Sequence, residues 1–137
     1  MIISETNFII ISYLEPQNAV KVEWKADSSL MGVEEFKAQI NLEKEAFVQY
    51  KPSFVLGQTQ AMAYTISPEE QNWHNELIMP TFASIGLKKL AVVVSNDIFA
   101  QVSIQQALEE GETTEQNGFK TRYFENETDA LTWFQKD

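Results

Sequence analysis

Cysteine is absent from this 137-residue chain, and histidine occurs once, as His74. Without thiolates there is no disulfide framework, and a zinc centre, which draws its ligands from Cys, His and carboxylates, has little to draw on. Glycine is scarce too, at five residues. None of them builds a Gly-x-Gly-x-x-Gly or Gly-x-x-x-x-Gly-Lys loop after a strand, so the usual backbone cradles for nucleotide phosphates are missing. There is no Gly-x-Ser-x-Gly elbow, and a Ser-His-Asp relay would have to use His74 with no marked nucleophile. No apolar run approaches the roughly 20 residues that span a bilayer. The N-terminal run lacks a basic flank and is broken by Ser12, unlike a signal peptide. Basic residues are few, 10 against 20 acidic, for a net charge of −10. That surface repels phosphate backbones, and the doublet Lys88-Lys89 is too small to reverse it, so nucleic acid is disfavoured as a partner. These absences set the expectation of a cytoplasmic chain without metal, cofactor or membrane insertion, and not an enzyme.

What is present is architecture. Ser67-Pro68-Glu69-Glu70 is a capping box with proline at the first helical position, where its fixed φ helps and its missing N–H costs nothing. Trp73, Leu77 and Ile78 continue as one stripe of a helix with 3.6-residue period. Pro80 is expected to kink or divide that helix. A second piece carries Phe82 and Ile85, and Gly86 supplies a left-handed cap. Leu90-Ala91-Val92-Val93-Val94 then reads as a buried parallel strand.

The alternation extends both ways. Phe8–Leu14 and Ala19–Lys25 read as two strands joined by the turn Glu15-Pro16-Gln17-Asn18, with Val20, Val22 and Trp24 on one face of the second. A helix starting between Ser28 and Gly32 and ending at Pro52 carries Val33, Phe36, Ile40 and Phe47, spaced by threes, fours and a seven. Phe54-Val55-Leu56 opens a third strand that frays into Gly57-Gln58-Thr59-Gln60. Asp97 begins a helical turn through Phe99 and Val102, and Ser103 caps a further piece with Ala107 and Leu108. Glu109–Asn117 reads as a loop, and Lys120–Phe124 as a last, edge strand. Asn126 caps a final helix carrying Leu131 and Phe134. The order β-β-α-β-α-β-α-β-α gives a single α/β domain over 1–137: five strands, mostly parallel, the first antiparallel.

The acidic residues fall at helix starts, on polar helix faces or in the Glu109–Glu115 segment, where water or a dipole keeps them ionised; Glu23 is the least certain. His74 lies four residues after Glu70 and reads as a surface or cleft-rim residue able to pair with it. An enzyme would need a cavity that holds His74 together with a carboxylate.

Glu34-Glu35-Phe36-Lys37, Ile66-Ser67-Pro68-Glu69 with Trp73 and Pro80, Gly86-Leu87-Lys88-Lys89-Leu90-Ala91-Val92-Val93, and Arg122-Tyr123-Phe124 before Ala130-Leu131-Thr132-Trp133 occur in this order along nearly the whole chain. In that order and spacing the chain resembles the small bacterial STAS-like proteins. These are relatives of the sporulation anti-sigma-factor antagonist, and share a β/α superhelix with the lipid-binding Sec14 fold. The resemblance implies a regulatory module without enzymatic activity that binds a protein partner, or a carrier of a small apolar ligand, and leaves a homodimer open. The family's phosphorylatable serine would correspond to Ser67, which the capping box also explains; Pro68 stands where the family pattern has glycine. Candidate partner or ligand surface is offered by Trp24, Trp73, His74 and Phe99, and by the region from Ala61 to Trp73. A cavity of roughly several hundred Å³ favours the carrier, and a flat apolar patch favours the interaction module.

Overall fold

The structure, a computed structural model, describes residues 1–100, 114–116 and 118–136. Strands β1 (Ile2–Glu5), β2 (Ile9–Leu14), β3 (Ala19–Trp24), β4 (Phe54–Gln58), β5 (Lys89–Val93), β6 (Thr114–Gln116) and β7 (Phe119–Phe124) form one mixed sheet, ordered β1-β2-β3-β4-β5-β7-β6. Helices α1 (Val33–Tyr50) and α2 (Pro68–Ile85) cover one face, α4 (Glu127–Phe134) packs on the other, and residues 96–100 are helical (α3). The α/β class and the parallel run β3-β4-β5-β7 are as the sequence led us to expect. Among the described residues no helix is long and apolar enough to cross a membrane.

The expected five strands need correction. An additional strand, β1, pairs antiparallel with β2. Thr6 makes the reversal between them, its hydroxyl accepting from the amides of Phe8 (3.0 Å) and Ile9 (3.1 Å). The three-residue β6 pairs antiparallel with the outer side of β7, so β7 is not an edge, and β6 lies within the stretch expected to be a loop. The expected cap at Ser103, and Val102, Ala107 and Leu108, lie outside the described residues.

The β2–β3 hairpin forms in the register Leu14 to Ala19. Asn18 takes the left-handed conformation there (φ 53°), which asparagine tolerates well. Its side chain accepts from Tyr13 Oη at 2.7 Å and donates to Ser53 Oγ at 3.0 Å, tying the hairpin to the start of β4. Helix α1 starts from Gly32, whose amide donates to the Glu35 carboxylate at 2.8 Å. Phe36, Ile40 and Phe47 turn inward from it, whereas Val33 stays exposed. The strand β5 is interior, between β4 and β7, as its β-branched run implied. Ala91 and Val93 are buried under α4, but Leu90 and Val92, on the α2 side, are only half-buried.

The capping box at α2 is realised on both sides: the Glu70 amide donates to Ser67 Oγ at 3.1 Å, and the Ser67 amide donates to Glu70 Oε1 at 3.0 Å. Gly86 closes the helix at φ 71°. Pro80 lies inside α2 without ending it. The proline leaves the carbonyl of Glu76 without its helical donor, and both residues are exposed, so water can take that place. Replacing Ser67 with alanine should cost about 1 kcal/mol of stability, while aspartate, itself a good cap, should be nearly neutral. Urea unfolding of the two variants checks this; equal losses in both would show that capping is not the main role of the hydroxyl.

Candidate functional site

Helix α2 packs mainly on α1 and touches the sheet little. Space is left between α2 and the strands, and it forms a cavity of about 250 Å³. Its floor is apolar sheet, with Val22 and Trp24 from β3, Val55 and Gly57 from β4, and Leu90 and Val92 from β5. Helix α1 contributes Phe36, Ile40, Glu43 and Phe47, and α2 contributes Gln71, His74, Ile78, Met79 and Phe82. The remaining wall is the segment after β4, through Thr59, Met62 and Ile66.

Hydrogen bonds hold that wall in place. The Thr59 amide and hydroxyl both donate to Val93 O at 2.8 Å, and the Ala63 amide donates to the buried Ser28 Oγ at 2.8 Å. Tyr64 stacks on Phe36 at 5.1 Å, and its hydroxyl donates to the Glu70 carboxylate. That bond, followed by the Ser67 amide, lowers the Glu70 pKa, and the same bond, followed by burial, pushes Tyr64 up to about 12. Glu70 is thereby committed to Tyr64 and Ser67. It is not the partner of His74, as the four-residue spacing had suggested.

His74 lies instead with Nδ1 3.2 Å from Asn75 Oδ1. That oxygen accepts, so the contact puts the proton on Nδ1 and leaves Nε2 as an acceptor. Burial lowers the His74 pKa, with Asn75 acting in the opposite direction. The residue is half-buried at the cavity wall rather than on an outer helix surface.

The most consequential residue is one the sequence reading passed over. Glu43 is 7% exposed, and its Oε2 has no hydrogen-bond partner. Burial pushes its carboxyl from the ordinary 4.5 up to about 8, contrary to the expectation that every carboxylate stays ionised. The reason is positional. Glu43 stands three residues after Ile40 and four before Phe47, inside the apolar stripe of α1, where the helix turns it away from water. The signal lay in the spacing: a seven-residue step in a helical stripe hides one inward position, and a glutamate fills it. Contrast Glu127, where burial also pulls upward. There the hydrogen bonds from Gln58 (2.9 Å) and Lys21 (2.9 Å) outweigh it, and the net shift is down.

Of the residues singled out from sequence, Trp24 and His74 meet at this cavity. Trp73 does not line it; it packs against Phe36 at 6.4 Å under the Lys37 ammonium, 5.2 Å from its ring. Phe99 is half-buried in α3, outside the lining. Ser67 lies outside the lining and serves as the cap of α2. No three His, Cys, Asp or Glu side chains among the described residues are grouped to hold a metal ion. No family model matches the chain, and no curated protein and no solved structure is significantly similar to it.

The Glu43 shift has a defined sign. Its folded pKa lies above its unfolded one, so the folded state keeps the proton as the unfolded chain loses it. Stability is therefore full below about pH 4.5 and falls as pH rises toward 8, by on the order of 4–5 kcal/mol in all. The melting temperature of Glu43→Gln should lack this decline and exceed that of the wild type at pH 8. His74, shifted down, gives a separate loss on the acid side, below its ordinary 6.5. Parallel pH–melting curves for wild type and Glu43→Gln would show that Glu43 does not titrate in this window.

Proposed function

We propose that this protein is a STAS-like, Sec14-related domain that holds a small apolar ligand in the cavity between its sheet and helices α1 and α2, without turning it over. One observation carries the reading: a cavity of about 250 Å³ with a largely apolar wall, set beside a well-buried apolar core. Close packing is the norm in protein interiors, and an apolar space of this size, partly open to solvent, forfeits dispersion contacts that a ligand would restore. Apolar cavities of roughly 150 Å³ already admit benzene or xenon. Trp24, in the floor, gives the site an intrinsic fluorescent reporter.

Support for binding over catalysis comes from the polar groups. His74 and Glu43 share the cavity, but no hydrogen bond joins them, and His74 is engaged by Asn75. A general base needs a proton within reach and an orienting partner. A phospho-regulated partner switch at Ser67 has less to rest on: its hydroxyl is occupied as the cap, Pro68 offers no amide, and Glu69 and Glu70 repel a phosphate.

Saturating toluene should raise the melting temperature of the wild-type protein by several degrees, because a ligand that binds only the folded state stabilises it. Val92→Phe, which fills the cavity from β5, should abolish that rise while its circular dichroism stays native. Native mass spectrometry of protein from its own host should show a retained small-molecule mass. A wild-type melting temperature indifferent to toluene would defeat the reading.

A further inference from the structure

Glu43 is expensive where it stands. A buried polar oxygen without a partner is unfavourable relative to one that is satisfied, and an apolar residue at that point of the α1 stripe would remove the cost. Among the described residues its only titratable companion in the cavity lining is His74, on α2; the strands β3, β4 and β5 present no ionisable group to it. Thr59 is turned toward Val93 O, and Gln71 donates through Nε2 to Asn75 Oδ1 at 3.0 Å. The cavity thus offers a carboxyl with one unengaged oxygen against an apolar wall.

We propose, resting on the cavity-binding reading above, that the site selects a neutral, mostly apolar molecule bearing a carbonyl oxygen, to which Glu43 donates its carboxyl proton. The chemistry decides among ligand classes. An ammonium would require Glu43 to ionise, would bring three N–H donors into a wall with few acceptors, and would bury two charges together. A carboxylate would enter a buried site in a chain of net charge −10. A hydrocarbon would leave Glu43 as unsatisfied as it is now. A carbonyl needs one donor, and a neutral glutamic acid has one to give. Burial keeps it in that form at neutral pH, since its pKa is raised to about 8. By scaling from the cavity that admits benzene, the body of the ligand has about ten non-hydrogen atoms.

Acetophenone, cumene and 1-phenylethylamine share one size and differ in a single group: carbonyl, branched alkyl or amine. Their affinities for the full chain, measured by calorimetry from pH 6 to pH 9, separate the cases. At pH 6 acetophenone should bind the wild type about 3- to 10-fold more tightly than cumene. That advantage should shrink as pH rises through about 8, where Glu43 loses its proton. Glu43→Gln, whose amide still donates, should keep the preference and lose its pH dependence. Glu43→Leu should lose the preference while still binding cumene, which shows that the variant is folded and its cavity intact. Equal wild-type affinities for acetophenone and cumene would overturn the carbonyl assignment and leave the cavity reading standing. So would tighter binding of the amine. Failure of all three probes would bring down the cavity reading, and this inference with it.

Discussion

Phe36 is where the layers on the cavity side are joined. Its ring is fully buried, 6.2 Å from Trp24 of β3, 5.1 Å from Tyr64 in the segment after β4, and 6.4 Å from Trp73 of α2. One side chain on the second turn of α1 thus touches the sheet, the connecting segment and the facing helix. Each such aromatic pair contributes about 0.5–1.5 kcal/mol beyond the area it buries. Because Trp73 meets Phe36 rather than a strand, α2 is braced against α1, and the space over Leu90 and Val92 stays unfilled. The cavity follows from that choice of partner.

The two faces of the sheet differ in how one polar group is treated. On the α4 side, Lys21 reaches Glu127 at 2.9 Å, Gln58 reaches the same carboxylate, and the buried Lys89 ammonium donates to the carbonyls of Trp133 and Lys136. A cation at the C-terminal end of a helix is favoured by the helix dipole as well as by those bonds. Every one of these groups is answered by another. On the α1–α2 side, Glu43 is buried with an oxygen unanswered. Among the described residues the buried carboxylate Glu70 and the half-buried Glu127 have partners, whereas Glu43 has an oxygen without one, and it lies at a cavity. A perturbed acid in a concave apolar site is the pattern that marks binding and catalytic positions.

Much of the fold was legible because its signals are local. The Ser67–Glu70 box, the αL cap at Gly86, the Asn126 cap with its 2.8 Å bond from the Asp129 amide, and the β2–β3 turn each depend on neighbours within a few residues. The apolar run of β5 disclosed an interior strand because only a covered sheet tolerates it. Strands β1 and β6 were missed because they are short, four and three residues, the first with two apolar residues and the second with none, and become strands only by pairing with β2 and β7. Pro80 was weighed by its local penalty, which exposure of that part of α2 reduces.

For the site, the chain by itself determined the parts: Trp24 on an inward face, His74 on α2, and a glutamate set between Ile40 and Phe47 in an apolar stripe. Whether that glutamate faced a partner, water or a void depended on what packs over α1, a contact between segments far apart in sequence. Tertiary structure alone decided that α2 leans on α1, that the sheet beneath stays partly uncovered, and that Glu43, His74 and Trp24 meet around the same space. Periodicity assigns a residue to a face, because the helix repeat is fixed by the backbone. It does not say what lies opposite that face, because non-local packing chooses it.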